Sequence, residues 1–236
     1  MSTGTMHFFS KALGRFVRYS LVLPNPEQAG PGPYPVLYQL HGAEGDDLAW
    51  LELSNFARHL RGTPFIAVLP DGALSYWLDY SPRERYESML IEDLPRHLAS
   101  LYQVDLARAC IGGLSMGGYG ALRLALKYPE HFVSAYGHSS ALWSREEWQA
   151  RQALPTDIDD ADIDLWVKRS GQGYLPAIGF DCGESDAFIN HNRRLHHLLD
   201  RCGIAHGYQE FPGGHSWDYW DEHVRRAIAQ HLRAIT

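Results

Sequence analysis

The sequence predicts an α/β fold, a mostly parallel central sheet with helices on both faces. Three observations carry that expectation. Short apolar runs of strand length, at residues 36–40, 65–69, 109–112, 132–137, 176–182 and 206–211, alternate with helical patterns. The chain has 236 residues, 45% hydrophobic and 21% charged, enough for one domain, residues 1–236, with a sizeable core. The stretch Cys110-Ile111-Gly112-Gly113-Leu114-Ser115-Met116-Gly117-Gly118-Tyr119-Gly120-Ala121-Leu122 sets Gly113-x-Ser115-x-Gly117 between an apolar run and a helix-forming run.

Taken in order, residues 6–10 and 16–23 predict two antiparallel strands turning near Gly14, because Phe16, Arg18 and Ser20 alternate with Val17, Tyr19 and Leu21. Residues 24–35 are a Pro/Gly-rich loop. Val36-Leu37-Tyr38-Gln39-Leu40 is a strand that ends in His41-Gly42-Ala43, followed by Glu44-Gly45-Asp46-Asp47. A helix over 50–60 is stopped by Arg61-Gly62-Thr63-Pro64 and leads into the strand at 65–69. The loop 70–80 carries Trp77. A helix over 84–102 contains Pro95, which marks a kink or a new first turn because proline removes an internal hydrogen bond. The run 109–112 feeds the Ser115 turn, 116–127 makes its helix and 132–137 the next strand. Regularity falls away over 141–174, which predicts a small helical cap at about 141–175 above the sheet edge. Its tryptophans, Trp143, Trp148 and Trp166, are read either as packing of that cap or as the apolar floor of a cleft. A strand at 176–182, a helix at 188–202, a strand at 206–211 and a helix at 218–235 complete the chain.

Composition narrows the function classes. A net charge of -7 and a pI near 6.0 supply no basic surface, so nucleic acid is not an expected partner. Residues 1–16 lack a signal-peptide pattern, and no stretch approaches the ~20 apolar residues of a membrane span, so a cytoplasmic protein without membrane partners is expected. Cys110, Cys182 and Cys202 are odd in number and unclustered, which predicts reduced core thiols and no disulfide framework. Composition leaves open whether the chain forms a homo-oligomer.

The chemistry centres on Ser115. At a tight strand-turn-helix elbow, side chains two residues either side of the serine would collide with the neighbouring backbone, which is why Gly113 and Gly117 stand there. The turn lifts the hydroxyl out of the sheet and points the positive end of the following helix at it. Such a serine needs a base to take its proton and an acid to orient the base, and in α/β-hydrolases these follow in the order nucleophile, acid, histidine, each after a strand. Asp186 follows the penultimate strand, and His215, in Gly213-Gly214-His215-Ser216-Trp217, follows the last. Asp181 and Glu184 are rival acids. With 13 histidines in the chain, a lone one says little. His41 and His138 also end strands, but at the wrong place in the order to be the base. His191, His196 and His197 share a helix without an i, i+4 pair or a partnering cysteine, so no zinc site, and no other cofactor, is expected. An oxyanion hole is expected from the backbone amides of Met116 and Ala43, with Gly42 permitting close approach.

The motifs Leu40-His41-Gly42-x-x-Gly45-Asp46, Gly113-Leu114-Ser115-Met116-Gly117-Gly118-Tyr119-Gly120-Ala121, Cys182-Gly183-x-x-Asp186 and Gly214-His215-x-Trp217-x-x-Trp220 resemble the esterase D branch of the α/β-hydrolases. That branch includes tributyrin-type, feruloyl and acetylxylan esterases, S-formylglutathione hydrolases and mycolyltransferases. The resemblance spans residues 36–236. It implies Ser115 as nucleophile, Asp186 as acid, His215 as base and the amides of Ala43 and Met116 as oxyanion donors, with Gly42, Trp77 and Trp217 binding substrate. Leu114 departs from the histidine that S-formylglutathione hydrolases typically carry before the nucleophile. The implied activity is hydrolysis of short-chain acyl esters, acetylated or feruloylated sugars among them, through an acyl-enzyme. A thioesterase of the S-formylglutathione type, an acyltransferase and a catalytically silent binding module are the alternatives.

Overall fold

Eight strands form the central sheet of the computed structural model, which describes residues 1–150, 157–171 and 173–236. They are β1 (Ser2–Ser10), β2 (Arg15–Leu23), β3 (Tyr34–Leu40), β4 (Ile66–Pro70), β5 (Val104–Leu114), β6 (Ser134–His138), β7 (Ala177–Gly183) and β8 (His206–Phe211). Their spatial order is β1-β2-β4-β3-β5-β6-β7-β8. The hairpin β1–β2 and the β2–β4 pair are antiparallel, and every pair from β4–β3 to β7–β8 is parallel. The main helices are α1 (residues 86–101), α2 (Met116–Lys127), α3 (Ile189–Arg201) and α4 (Trp217–Ala234).

Strand periodicity sorts the core into two layers. On β3 and β5, Tyr38 and Ile111 join Leu122 of α2 and Phe180 of β7 in one apolar cluster. Leu37 and Cys110 face the other way and pack with Trp220 and Val224 of α4. Apolar residues on both faces make β3, β4 and the end of β5 continuous apolar runs.

The structure departs from the expected elements in four places. The 50–60 helix is two short pieces, Ala49–Glu52 and Phe56–His59. The Ser54 hydroxyl donates to the Trp50 carbonyl and accepts the Phe56 amide, while Asn55 is pinned to Asp221 on α4 by its amide and side chain, both at 2.7 Å. The start of the 84–102 helix is instead a small hairpin, Asp79–Ser81 with Glu84–Arg85. Within α1, a π turn at Met89–Asp93 precedes Leu94–Leu101, so Pro95 falls in a first turn where its missing amide is not needed. Cys202 caps α3 and is exposed, unlike the buried Cys110 and Cys182.

The cap segment forms Arg145–Ala150, Ile158–Ala161 and Ile163–Ser170; residues 151–156 and 172 of that expectation lie outside the described residues. A buried ionic cluster ties it to α1 and α2. Arg123 of α2, 0% exposed, bonds Glu87 of α1 and Asp160 of the cap. Lys127 reaches both carboxylates, and the Tyr128 hydroxyl donates to Glu87 at 2.6 Å. Charges this deep are tolerated only when paired and hydrogen-bonded. No helix among the described residues is long and apolar enough to cross a membrane.

Burial also makes the fold acid-sensitive. His231 of α4 lies fully buried with Nδ1 2.8 Å from the Ser134 hydroxyl, and that burial pushes its pKa down to about 3. The unfolded chain therefore binds a proton below about pH 6.5 that the folded chain refuses, so stability is lost as pH falls. Urea unfolding at pH 7.5 and pH 5.0 should show the wild type losing about 2 kcal/mol more than His231→Asn over that interval. Equal losses would show that His231 does not set the slope.

Candidate active site

The parallel register brings the ends of β3, β5 and β6 level, with Leu40 opposite Gly113 and Leu114 opposite His138. Ser115 follows directly, at φ 53 and ψ -117, a backbone conformation that costs a residue with a Cβ on the order of 1–3 kcal/mol. Three hydrogen bonds hold it there. Its amide donates to the His138 carbonyl at 2.9 Å, and its own carbonyl accepts from Tyr119 and Ala141 at 3.0 and 3.1 Å. A Cβ on Gly113 would stand 2.6 Å from the Gly117 backbone, and one on Gly117 would stand 2.5 Å from the Leu40 carbonyl oxygen, so both flanking glycines are steric necessities of the turn.

His215 reaches Ser115 from the loop between β8 and α4. Its Nε2 lies 3.0 Å from Ser115 Oγ. Its Nδ1 lies 2.9 and 3.1 Å from the two carboxylate oxygens of Asp186. The imidazole is flanked by Phe188 and Trp220, both edge-to-face, with ring centroids at 5.1 and 4.8 Å. Asp186 is buried, which alone would raise its pKa, but hydrogen bonds from His215, the Phe188 amide at 2.8 Å and Ser139 hold it below the usual carboxylate range. The carboxylate therefore stays charged beside the ring, and Nδ1 carries the hydrogen while Nε2 presents its lone pair to the serine.

The rival acids are placed elsewhere. Asp181 is fully buried inside β7, where it accepts from His138 Nδ1 at 2.9 Å and from the Tyr219 hydroxyl at 3.0 Å. Glu184 is exposed, and its amide bonds the Phe211 carbonyl. His41 is a structural histidine. Its Nδ1–H donates to the Gly42 carbonyl at 2.7 Å and its Nε2 accepts the Gly72 amide at 2.9 Å, and burial holds its pKa below the ordinary value. That ring thereby shapes the 41–45 loop from beneath.

A cleft of about 460 Å³ opens above Ser115, within the size range of small-molecule sites. Gly42, Ala43, Tyr76, Leu114, Ala141, Phe188, Trp217 and Trp220 line it, with Glu44 and the exposed Leu53 also contributing. Among the described residues, no backbone or side-chain acceptor takes up the Ala43 or Met116 amide, which leaves both donors available to a ligand. Gly42 and Trp217 thus border the cleft as expected, whereas Trp77 does not. It is 0% exposed and its indole packs over Gly72 and Gly120 and edge-on to His41. Tyr76 and Trp77 both have positive φ, 50 and 56, and this backbone twist turns Trp77 into the core and Tyr76 toward the cleft. Tyr76 was not legible in the sequence, because neighbouring aromatics in an irregular loop give no periodicity to tell inside from outside.

The cap tryptophans pack and do not line the cleft. Trp148, 0% exposed, stands edge-to-face with Tyr76 at 5.1 Å, and Trp143 does the same behind Phe188 at 5.3 Å. Trp166 donates to the Asp160 carbonyl at 2.8 Å and stacks under Lys127 and Arg169.

The strand order, the elbow after β5 and the apolar cleft over a serine at the carboxyl edge of the sheet together define the α/β-hydrolase class. Within that class the chain belongs to the Esterase family, whose model, described as “Putative esterase”, matches residues 10–231. It is 29% identical over 258 residues to the acetyl esterase of Caldicellulosiruptor saccharolyticus, with 97% of each chain covered. Its fold superposes on an S-formylglutathione hydrolase from Agrobacterium tumefaciens with a TM-score of 0.87 at 21% identity, covering 99% of this chain and 95% of that one. It also superposes on a ferulic acid esterase with a TM-score of 0.84 at 24% identity, covering 99% and 98%.

Proposed function

We propose that the protein is a serine carboxylesterase that cleaves short-chain acyl esters, acetylated or feruloylated sugars among them, with Ser115 as nucleophile, His215 as base and Asp186 as the orienting acid. The observation that carries this reading is the continuous hydrogen-bonded line from Ser115 Oγ through His215 to the buried Asp186 carboxylate at the floor of an apolar cleft. Ser115 Oγ attacks the ester carbonyl as His215 Nε2 takes its proton, and the carbonyl oxygen, now negative, rests on the Ala43 and Met116 amides. The same nitrogen then protonates the departing alkoxide. Water repeats the sequence to release the acid and restore the serine.

Chain-length preference tests the reading. Across p-nitrophenyl esters from acetate to palmitate, kcat/KM should peak at acyl chains of roughly two to six carbons, each methylene first gaining up to ~0.8 kcal/mol from burial and then losing it once the cleft is full. Values still climbing at decanoate and palmitate would make the protein a long-chain lipase. Faster turnover of an acyl-glutathione than of any oxygen ester would favour the thioesterase alternative. Transfer of the acyl group to an added alcohol in preference to water would favour the acyltransferase.

A further inference from the structure

Away from the cleft, the C-terminal end of α3 carries a second cluster of ligating side chains. Asp200 is three and four residues from His197 and His196 and so neighbours both on the helix surface, and one ligand atom of each of the three lies within 4.8 Å of the other two. The i, i+4 partner of His196 is thus a carboxylate and not a second histidine. β8 begins alongside and adds His206, whose side chain is only 4% exposed. Its Nδ1–H donates to the Ile204 carbonyl at 2.8 Å, and its Nε2 lies 2.7 Å from His196 Nδ1. His196 Nε2 faces Asp200 Oδ2 at 3.5 Å, and His206 Nε2 stands 3.9 Å from Asp200 Oδ1. An imidazole nitrogen and a carboxylate oxygen facing each other at that spacing are donor types that a divalent transition metal takes.

We propose that His196, His197 and Asp200 bind a divalent transition-metal ion of the zinc type, with His206 orienting His196 from behind. Two ligands each about 2.1 Å from a tetrahedral ion stand about 3.4 Å apart, which matches the spacing of His196 Nε2 and Asp200 Oδ2. Two imidazoles with one carboxylate suit zinc, nickel or copper and not magnesium or calcium, which take oxygen ligands. A backbone-anchored histidine hydrogen-bonded to the other nitrogen of a ligating ring is the kind of outer partner that fixes ring orientation and tautomer. The site is independent of the ester chemistry; all three ligands sit near the C-terminal end of α3, with His206 at the start of β8 behind them.

The test is calorimetric titration of the full chain, freed of metal with EDTA and dialysed, with zinc chloride and separately with magnesium chloride. Zinc should bind saturably at one ion per chain and raise the melting temperature, and magnesium should do neither. His196→Gln and Asp200→Asn, both at a helix surface where far-UV circular dichroism should report an unchanged fold, should weaken zinc binding at least about tenfold, and His206→Gln by about 10- to 100-fold. Cys202→Ser should bind as the wild type does. Absence of saturable binding, unchanged affinity in the His196 and Asp200 variants, or loss of binding in Cys202→Ser would overturn the site. Unchanged affinity in His206→Gln would overturn the orienting role.

Discussion

Replacing Ser115 by alanine is expected to lower kcat by roughly 10⁶-fold while leaving a folded protein, since removal of a triad nucleophile abolishes the covalent route. The side chain is small, and its three backbone hydrogen bonds do not depend on the hydroxyl. Ser115→Gly sharpens the test. At φ 53 a Cβ is strained and glycine is not, so the glycine variant should be as inactive as the alanine one yet more stable by about 1 kcal/mol. Urea denaturation and active-site labelling with an organophosphate read the two effects separately. Substantial turnover in a clean Ser115→Ala preparation, or labelling of that variant at another serine, would defeat the assignment.

The second large effect separates two buried aspartates five residues apart. Asp186→Asn is expected to cost about 10⁴-fold in kcat with KM nearly unchanged, because the amide no longer holds the proton on Nδ1 or stabilises the imidazolium. Asp181→Asn should act on stability instead, since its carboxylate serves His138 and Tyr219 beneath the sheet edge and has no contact with His215. Unfolding that variant should take a few kcal/mol less, as expected when a buried hydrogen-bonded charge is removed, while the folded fraction keeps near-normal turnover. The reverse pattern would move the acid to Asp181.

Much of this arrangement was legible in the order of residues. The strand runs, the Gly113-x-Ser115-x-Gly117 turn and the succession Ser115, Asp186, His215 all follow from local rules: side-chain periodicity, the steric demand of one strained residue, and loops that fall at strand ends. Short-range departures were legible less well. The Asn55 bonds that help divide the 50–60 helix end on Asp221, 166 residues away, and no local propensity carries that information.

The sequence by itself therefore determined the α/β architecture, the elbow and the candidate nucleophile and base, because each is encoded by residues within a few positions of one another. Only the tertiary structure shows that Asp186, which the sequence already favoured, lies beside His215 while Asp181 stays within β7 against His138 and Tyr219, since a carboxylate's partners depend on whether it emerges beyond the strand end. It also decided that Tyr76 and not Trp77 borders the cleft, that Trp143 and Trp148 support it from behind, and that Arg123 is wholly buried among Glu87, Asp160 and Lys127. In each case the physical reason is the same. Which way a side chain faces, and whether its charge or ring finds a partner there, is set by segments distant in sequence that packing brings against it.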